Sequence, residues 1–137
     1  MKARPCKRTI QELVEDFALS VIEQDKQINI GNARAGNVAA RRRVNTFKQL
    51  CACYGDSGRD ALVSLFEHEN DSVRVDAAAY LLRHCTGKAL GVLRDIAQNG
   101  KGFAKMGAFY SIKNWEEGTW QLDPATDDST QENAKRK

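Results

Sequence analysis

His68–His84 reads HENDSVRVDAAAYLLRH, and this stretch decides the fold. Asp71 or Ser72 can cap a helix, after which Val73, Ala77, Ala78, Leu81 and Leu82 recur at three- and four-residue spacing. The run Ala77–Ala79 carries so little side chain that neighbouring helices can approach closely. The segment predicts a packed helix, the second half of a helical-repeat pair, rather than a catalytic loop.

Upstream, Thr9-Ile10-Gln11-Glu12 is a capping box, and Ile10, Leu13, Val14, Phe17, Val21 and Ile28 share one face of the helix that follows. Gly31 and Asn32 break that run. A second helix is expected from about Ala33 to Tyr54, with Ala40, Val44, Phe47, Cys51 and Tyr54 as its core stripe and Gly55 at the left-handed cap position. A short third helix, Arg59 to about Phe66, precedes the fourth, Ser72 to about Cys85. Downstream, Ala89, Leu90, Leu93, Ile96 and Ala97 mark a fifth helix from Thr86, stopped by Asn99 and Gly100, and a sixth runs from Gly102 or Phe103 to near Glu116.

Nothing alternates with period two over a useful length. The expected fold class is therefore all-α, about six helices in antiparallel pairs, built as a small α-solenoid or compact bundle. The boundaries expected are a flexible basic N-terminus over 1–8, a single helical-repeat domain over 9–122 and a disordered polar tail over 123–137. With 137 residues, 42% of them hydrophobic and a net charge of +3, the chain suits one globular domain. No stretch approaches the roughly 18 apolar residues of a membrane span, and no signal-peptide core follows the basic start. Cys6, Cys51, Cys53 and Cys85 sit mainly beside apolar neighbours, which reads as reduced, buried thiols and a cytoplasmic location.

The order of parts resembles HEAT-like repeat proteins and, more closely, the bacterial family known as domain of unknown function 2019. The similarity spans roughly Thr9 to Pro124. It is carried by Tyr54-Gly55, the pair around ALVSLFEHENDSVRVDAAAYLL, the helix KALGVLRDIAQNG and the closing WEEGTW of Trp115–Trp120. The resemblance implies a helical scaffold with no catalytic residues to carry over. By analogy with repeat scaffolds of this size, it also implies an immunity-type protein that neutralises a toxin.

Charge is the other unusual feature. Between Lys26 and Gly55 there is no Asp or Glu, whereas Lys26, Arg34, Arg41, Arg42, Arg43 and Lys48 are basic. Arg34, Arg41 and Lys48 lie seven apart and nearly eclipse one another on a helix. Asp76, Tyr80 and Arg83 share a helical face away from the alanine stripe, and an exposed tyrosine and arginine are favoured interface anchors. The expected partner-binding set is Arg34, Arg41, Arg42, Lys48, Asp76, Tyr80 and Arg83. The partner expected is another protein, a cognate toxin with an acidic patch, with nucleic acid as the alternative. The competing reading pairs the basic helix with acids of helix one such as Glu12, Glu15, Asp16 and Glu23. The last helix and its exit carry Phe103, Met106, Phe109, Tyr110, Ile112, Trp115 and Trp120, most of them aromatic, and this set is expected to cap the end of the stack.

Enzyme chemistry finds little support. Cys51 and Cys53 point about 200° apart on a helix and cannot share one metal ion without unwinding it. No phosphate-cradling or nucleophile-elbow motif is present, and no cofactor is called for.

Overall fold

The computed structural model describes residues 6–123; most of the expected basic N-terminus and polar tail, 1–5 and 124–137, lies outside them. All regular structure among the described residues is helical. The first helix, α1 (Ile10–Asn29), starts on the capping box: Thr9 Oγ1 accepts from the Glu12 amide at 3.0 Å, and Glu12 Oε1 accepts from the Thr9 amide at 2.9 Å. Leu13, Val14, Phe17, Ala18 and Val21 are buried on one side of α1, which packs on α2 (Ala33–Leu62).

Helix α2 is capped by Asn32 and bends once, at Gly55 (φ 56°, ψ −134°), a backbone conformation that only glycine adopts without strain. It becomes helical again immediately. Glycine is also required at Gly58, where a Cβ would fall 2.9 Å from the Leu50 carbonyl oxygen. The expected third helix is therefore the end of α2 followed by a 3₁₀ turn (Val63–Glu67), so the described chain has five α-helices instead of six. The α2 core stripe is also shifted. Ala39, Thr46, Phe47, Leu50 and Cys51 are buried, while Ala40, Val44 and Tyr54 are only half-buried.

Asn70, rather than Asp71 or Ser72, caps α3 (Asp71–Tyr80), its Oδ1 accepting the amides of Ser72 at 2.8 Å and Val73 at 3.3 Å. The helix ends at Tyr80, shorter than expected. Leu81 and Leu82 nevertheless stay fully buried in the turn that leads to α4 (Thr86–Asn99), and α5 (Gly102–Glu117) completes the set. Helix α3 lies at the centre, touching α1, α4 and α5. Val73, Val75, Ala77, Ala78, Ala79 and Tyr80 are all buried, so its last four residues, 77–80, have no solvent face. The Tyr80 ring meets Phe17 edge-on at 5.2 Å between ring centres and Phe47 at 4.8 Å, joining the first three helices.

Both described ends of the chain are fastened to α2. Residues 119–123 form an exit strap, along which Trp120 Nε1 donates to the Ala79 carbonyl at 2.7 Å and its ring packs edge-on against Trp115. Asp123, expected in the tail, is 3% exposed. Its carboxylate accepts from Arg59 Nε at 2.8 Å and Nη2 at 2.9 Å, a bidentate pair with almost no solvent access. At the other end Cys6 and Cys53 form a disulfide, their Cα atoms 6.0 Å apart, and Tyr54 Oη donates to the Arg8 carbonyl at 2.7 Å.

The disulfide corrects the expectation of four reduced thiols and removes the thiol-based argument for a reducing compartment. It arises because α1 and α2 run antiparallel, which carries the segment before Thr9 back to the residues before Gly55. Cys51 faces the interior instead, where burial pushes its thiol up to about 12. No helix among the described residues is long and apolar enough to cross a membrane.

Two outcomes follow. Thiol titration of the unfolded, unreduced chain finds two reactive cysteines, Cys51 and Cys85; four would contradict the bridge. Asp123→Ala leaves Arg59 buried with the exposed Asp56 as its one ion-pair partner among the described residues and lowers unfolding free energy in urea by about 3 kcal/mol. A loss well below that would show that the pair does not hold the strap.

Candidate functional site

The acid-free run divides into an inner and an outer set once α2 is packed. Gly36, Ala39, Arg43, Phe47 and Leu50 follow one helical stripe, so Arg43 is carried into the α1–α3 junction and is 15% exposed. Its guanidinium lies 3.2 Å from Asp76, donates through Nε to Tyr80 Oη at 3.4 Å, and donates through Nη1 to Gln24 Oε1. Burial pushes the Asp76 carboxyl up to about 6 despite the Arg43 charge, with Asp25 adding to the effect.

Arg34, Arg41, Arg42, Asn45 and Lys48 face outward. Around Arg41 and Arg42 lies an open cleft of about 710 Å³, bounded by Arg8, Asp16, Thr46, Gln49 and the half-exposed Val38. One carboxylate organises it. Asp16 Oδ1 accepts from Arg42 Nε at 2.8 Å and also from Nη2, while Oδ2 accepts from Thr46 Oγ1 at 2.8 Å and lies 2.9 Å from Arg8 Nη2. Burial alone would raise this carboxyl, but the donors from Arg42, Arg8 and Thr46 outweigh it and hold the group at about 2. The competing sequence reading thus holds for Arg42, which Asp16 engages. It does not hold for Arg34, Arg41 and Lys48, which have no carboxylate within ion-pair distance among the described residues.

The other expected site residues are not brought to this face. Tyr80, 4% exposed, is a core residue, as are the three alanines that precede it at the C-terminal end of α3. Asp76 turns inward to Arg43. Arg83 lies beyond the end of α3, where its guanidinium sits 5.0 Å from the centre of the Trp120 ring and Nη2 donates to the Asp123 carbonyl at 3.1 Å. Asp76, Tyr80 and Arg83 therefore do not form one surface triplet. Only Arg34, Arg41, Arg42 and Lys48 of the expected set share an exposed face.

Sequence reasoning missed Arg43 and Arg59 as organising residues and named Asp16 only as one of four acids that could pair with the basic helix. For Arg43 a signal was present in its register with Ala39, Phe47 and Leu50. Helix α5 is corrected as well. Trp115 and Trp120 pack partly buried against the core, but Phe103, Met106, Phe109 and Tyr110 are each about half exposed. The helix approaches α3 through its own Ala104, Gly107 and Ala108, with room at Gly107 for only a van der Waals contact to Val75, and that close approach turns the large side chains outward. Among the described residues no group of three or more His, Cys, Asp and Glu could hold a metal ion; His84 instead bonds Asp60 at 2.7 Å.

The depressed Asp16 carboxyl has a signed consequence. Its folded value lies below its ordinary value of 3.8, so its contribution is present above about pH 4 and lost as pH falls toward 2. Asp16→Asn is expected to lower unfolding free energy by about 2 kcal/mol at pH 7 and by almost nothing near pH 2. Urea denaturation across that range measures it, and an equal loss at both ends would refute the assignment.

The crystal structure of the protein RPA1889 from Rhodopseudomonas palustris CGA009 has the same fold, with a TM-score of 0.78 at 29% sequence identity over 88% of this chain and 98% of that one. No curated protein matches the chain. The five-helix arrangement, the capping box of α1 and the α3 centre all fall within or beside residues 11–109, the span matched by the sequence profile of the domain of unknown function DUF2019. The chain belongs to that family.

Proposed function

We propose that this chain is a non-enzymatic, HEAT-like helical-repeat module that binds another protein, and that its docking face is the outer side of α2. The observation that carries the reading is the division of basic residues. Arg42, Arg43, Arg59 and Arg74 are engaged by carboxylates, while Arg34, Arg41 and Lys48 stand in line on one face of α2 with none among the described residues. Such a ridge fits an acidic patch, and the exposed Val38 beside Arg41 offers an apolar anchor at its centre. The specific form of the proposal is an immunity protein that covers an acidic surface of a bacterial toxin.

Chemistry supports binding over catalysis in this cleft. A carboxylate held at about 2 by three donors is a weak general base and gives up no proton near neutral pH. Protein is favoured over nucleic acid because the ridge is interleaved with Asn37, Asn45 and Gln49 and lacks aromatic stacking platforms.

Co-expression with the product of the adjacent gene tests the proposal. The expected result is a complex that co-purifies and relieves growth inhibition, and whose affinity falls at least about 100-fold when Arg34, Arg41 and Lys48 are all changed to Glu. No complex with that product, or a complex indifferent to the triple change, would overturn it. Oligonucleotide binding at low salt that is lost on the same change would establish the nucleic-acid alternative instead.

A further inference from the structure

A second surface, remote in character from the basic ridge, lies where the ends of α1, α3 and α5 meet. Phe103, Met106 and Tyr110 recur at three- and four-residue spacing along α5, and Phe109 stacks edge-on against Tyr110 at 5.2 Å. All four large side chains are about half exposed within eight residues of one helix. Contiguous apolar surface of this kind on a small domain marks a contact site more often than scattered single residues do.

The ridge borders a concave site. A cleft of about 730 Å³ has Phe103 and Met106 on one wall and Asp25, Glu69 and Asp71 on the others. A recess of about 260 Å³ shares Phe103 and Asp25 with it and ends on Arg43 and Asp76. Charge in this region runs opposite to that of the whole chain. Arg43 is already engaged by Asp76 and Gln24, and Arg74 holds Asp71 at 3.2 Å. Asp25 and Glu69 have no ion-pair partner among the described residues, and Lys101 is the remaining cation of the cleft.

We infer that the cleft between α1, α3 and α5 is a docking groove for a basic, apolar-anchored segment of a second protein, whose apolar side chains lie on Phe103 and Met106 while its Arg or Lys side chains reach Asp25 and Glu69. The apolar shelf supplies buried area and the acidic wall selects the sign of the occupant. An anionic occupant, whether nucleic acid or an acidic membrane surface, meets repulsion there. This inference does not rest on the α2 reading, because the two faces use different helices and opposite charge.

The test uses the full chain and a labelled helical peptide with Leu and Arg on adjoining faces, a second peptide with Glu for every Arg, and a third with Ser for every Leu. Fluorescence anisotropy is expected to show saturable binding of the Leu–Arg peptide and at least about tenfold weaker binding of both others. Met106→Ser and Glu69→Lys change exposed side chains, so their thermal melts should match the parent while each weakens the Leu–Arg peptide several-fold. The Arg34, Arg41 and Lys48 triple change should leave peptide binding intact, which separates this result from failure of the α2 proposal. Equal binding of the Leu–Arg and Leu–Glu peptides, or indifference to both Met106→Ser and Glu69→Lys, would overturn the groove. Light scattering that shows a dimer dissolved by Met106→Ser would also overturn it, by making a second copy the occupant.

Discussion

The structure depends on how Tyr80 is buried. Its ring fills the space between Phe17 and Phe47, and its hydroxyl accepts a hydrogen bond from Arg43. A phenol inside a core needs such a partner, and a guanidinium drawn inward to supply it needs a counter-charge. Asp76 and Gln24 meet that need from α3 and α1. The polar set is thus a consequence of aromatic packing, and it fixes the rotation of α2 about its own axis. With Arg43 turned inward, Arg34, Arg41 and Lys48 turn outward, so the core interaction also sets the direction of the basic face.

Much of this fold is legible in the sequence because its signals are local. The Thr9–Glu12 box, the Gly31-Asn32 break and the Thr86 to Asn99 stripe each concern residues within one or two turns of one another, and all are found where expected. The bend at Gly55 is local too. What followed it was misread because a single residue outside helical geometry redirects a helix without ending it. Helix patterning gives relative directions of side chains, and it locates the core only when one face of the helix is polar. Helix α3 has no such face at its C-terminal end, so Asp76 and Tyr80 looked like a surface pair when they point toward α2. In α5 the competition lay between a small stripe, Ala104, Gly107 and Ala108, and a large one, Phe103, Met106 and Tyr110. Close approach to α3 at Val75 favoured the small stripe, and that outcome depends on a neighbour more than 20 residues away in the chain.

Long-range pairs were the least visible. Asp16 with Arg42, Arg59 with Asp123 and Cys6 with Cys53 join residues between 26 and 64 positions apart, and no spacing rule relates them. Their geometry exists only after α1 and α2 are antiparallel. The same arrangement separates charge: α2 carries cations outward, while Asp25, Glu69 and Asp71 gather at the opposite junction. A net charge of +3 conceals this separation; the acid-free run marked the basic face, and the acidic one forms only when residues of three helices meet in the folded chain.

The bend at Gly55 ties these features together. Immediately before it, Cys53 and Tyr54 hold the N-terminal segment through a disulfide and a hydrogen bond to the Arg8 carbonyl. Immediately after it, Arg59 holds the exit strap through Asp123, and Gly58 lets the second arm close on Leu50. A straight α2 would point Arg59 along a different azimuth and leave Asp123 without its bidentate partner. A non-glycine residue at 55 would resist the φ of 56° on which that redirection depends. The two described ends of the chain are therefore coupled through one backbone torsion. Arg8, which the N-terminal clasp holds in place, is also a wall of the cleft beside Arg41 and Arg42. The shape of the basic face accordingly rests on the same bend as the closure of the core.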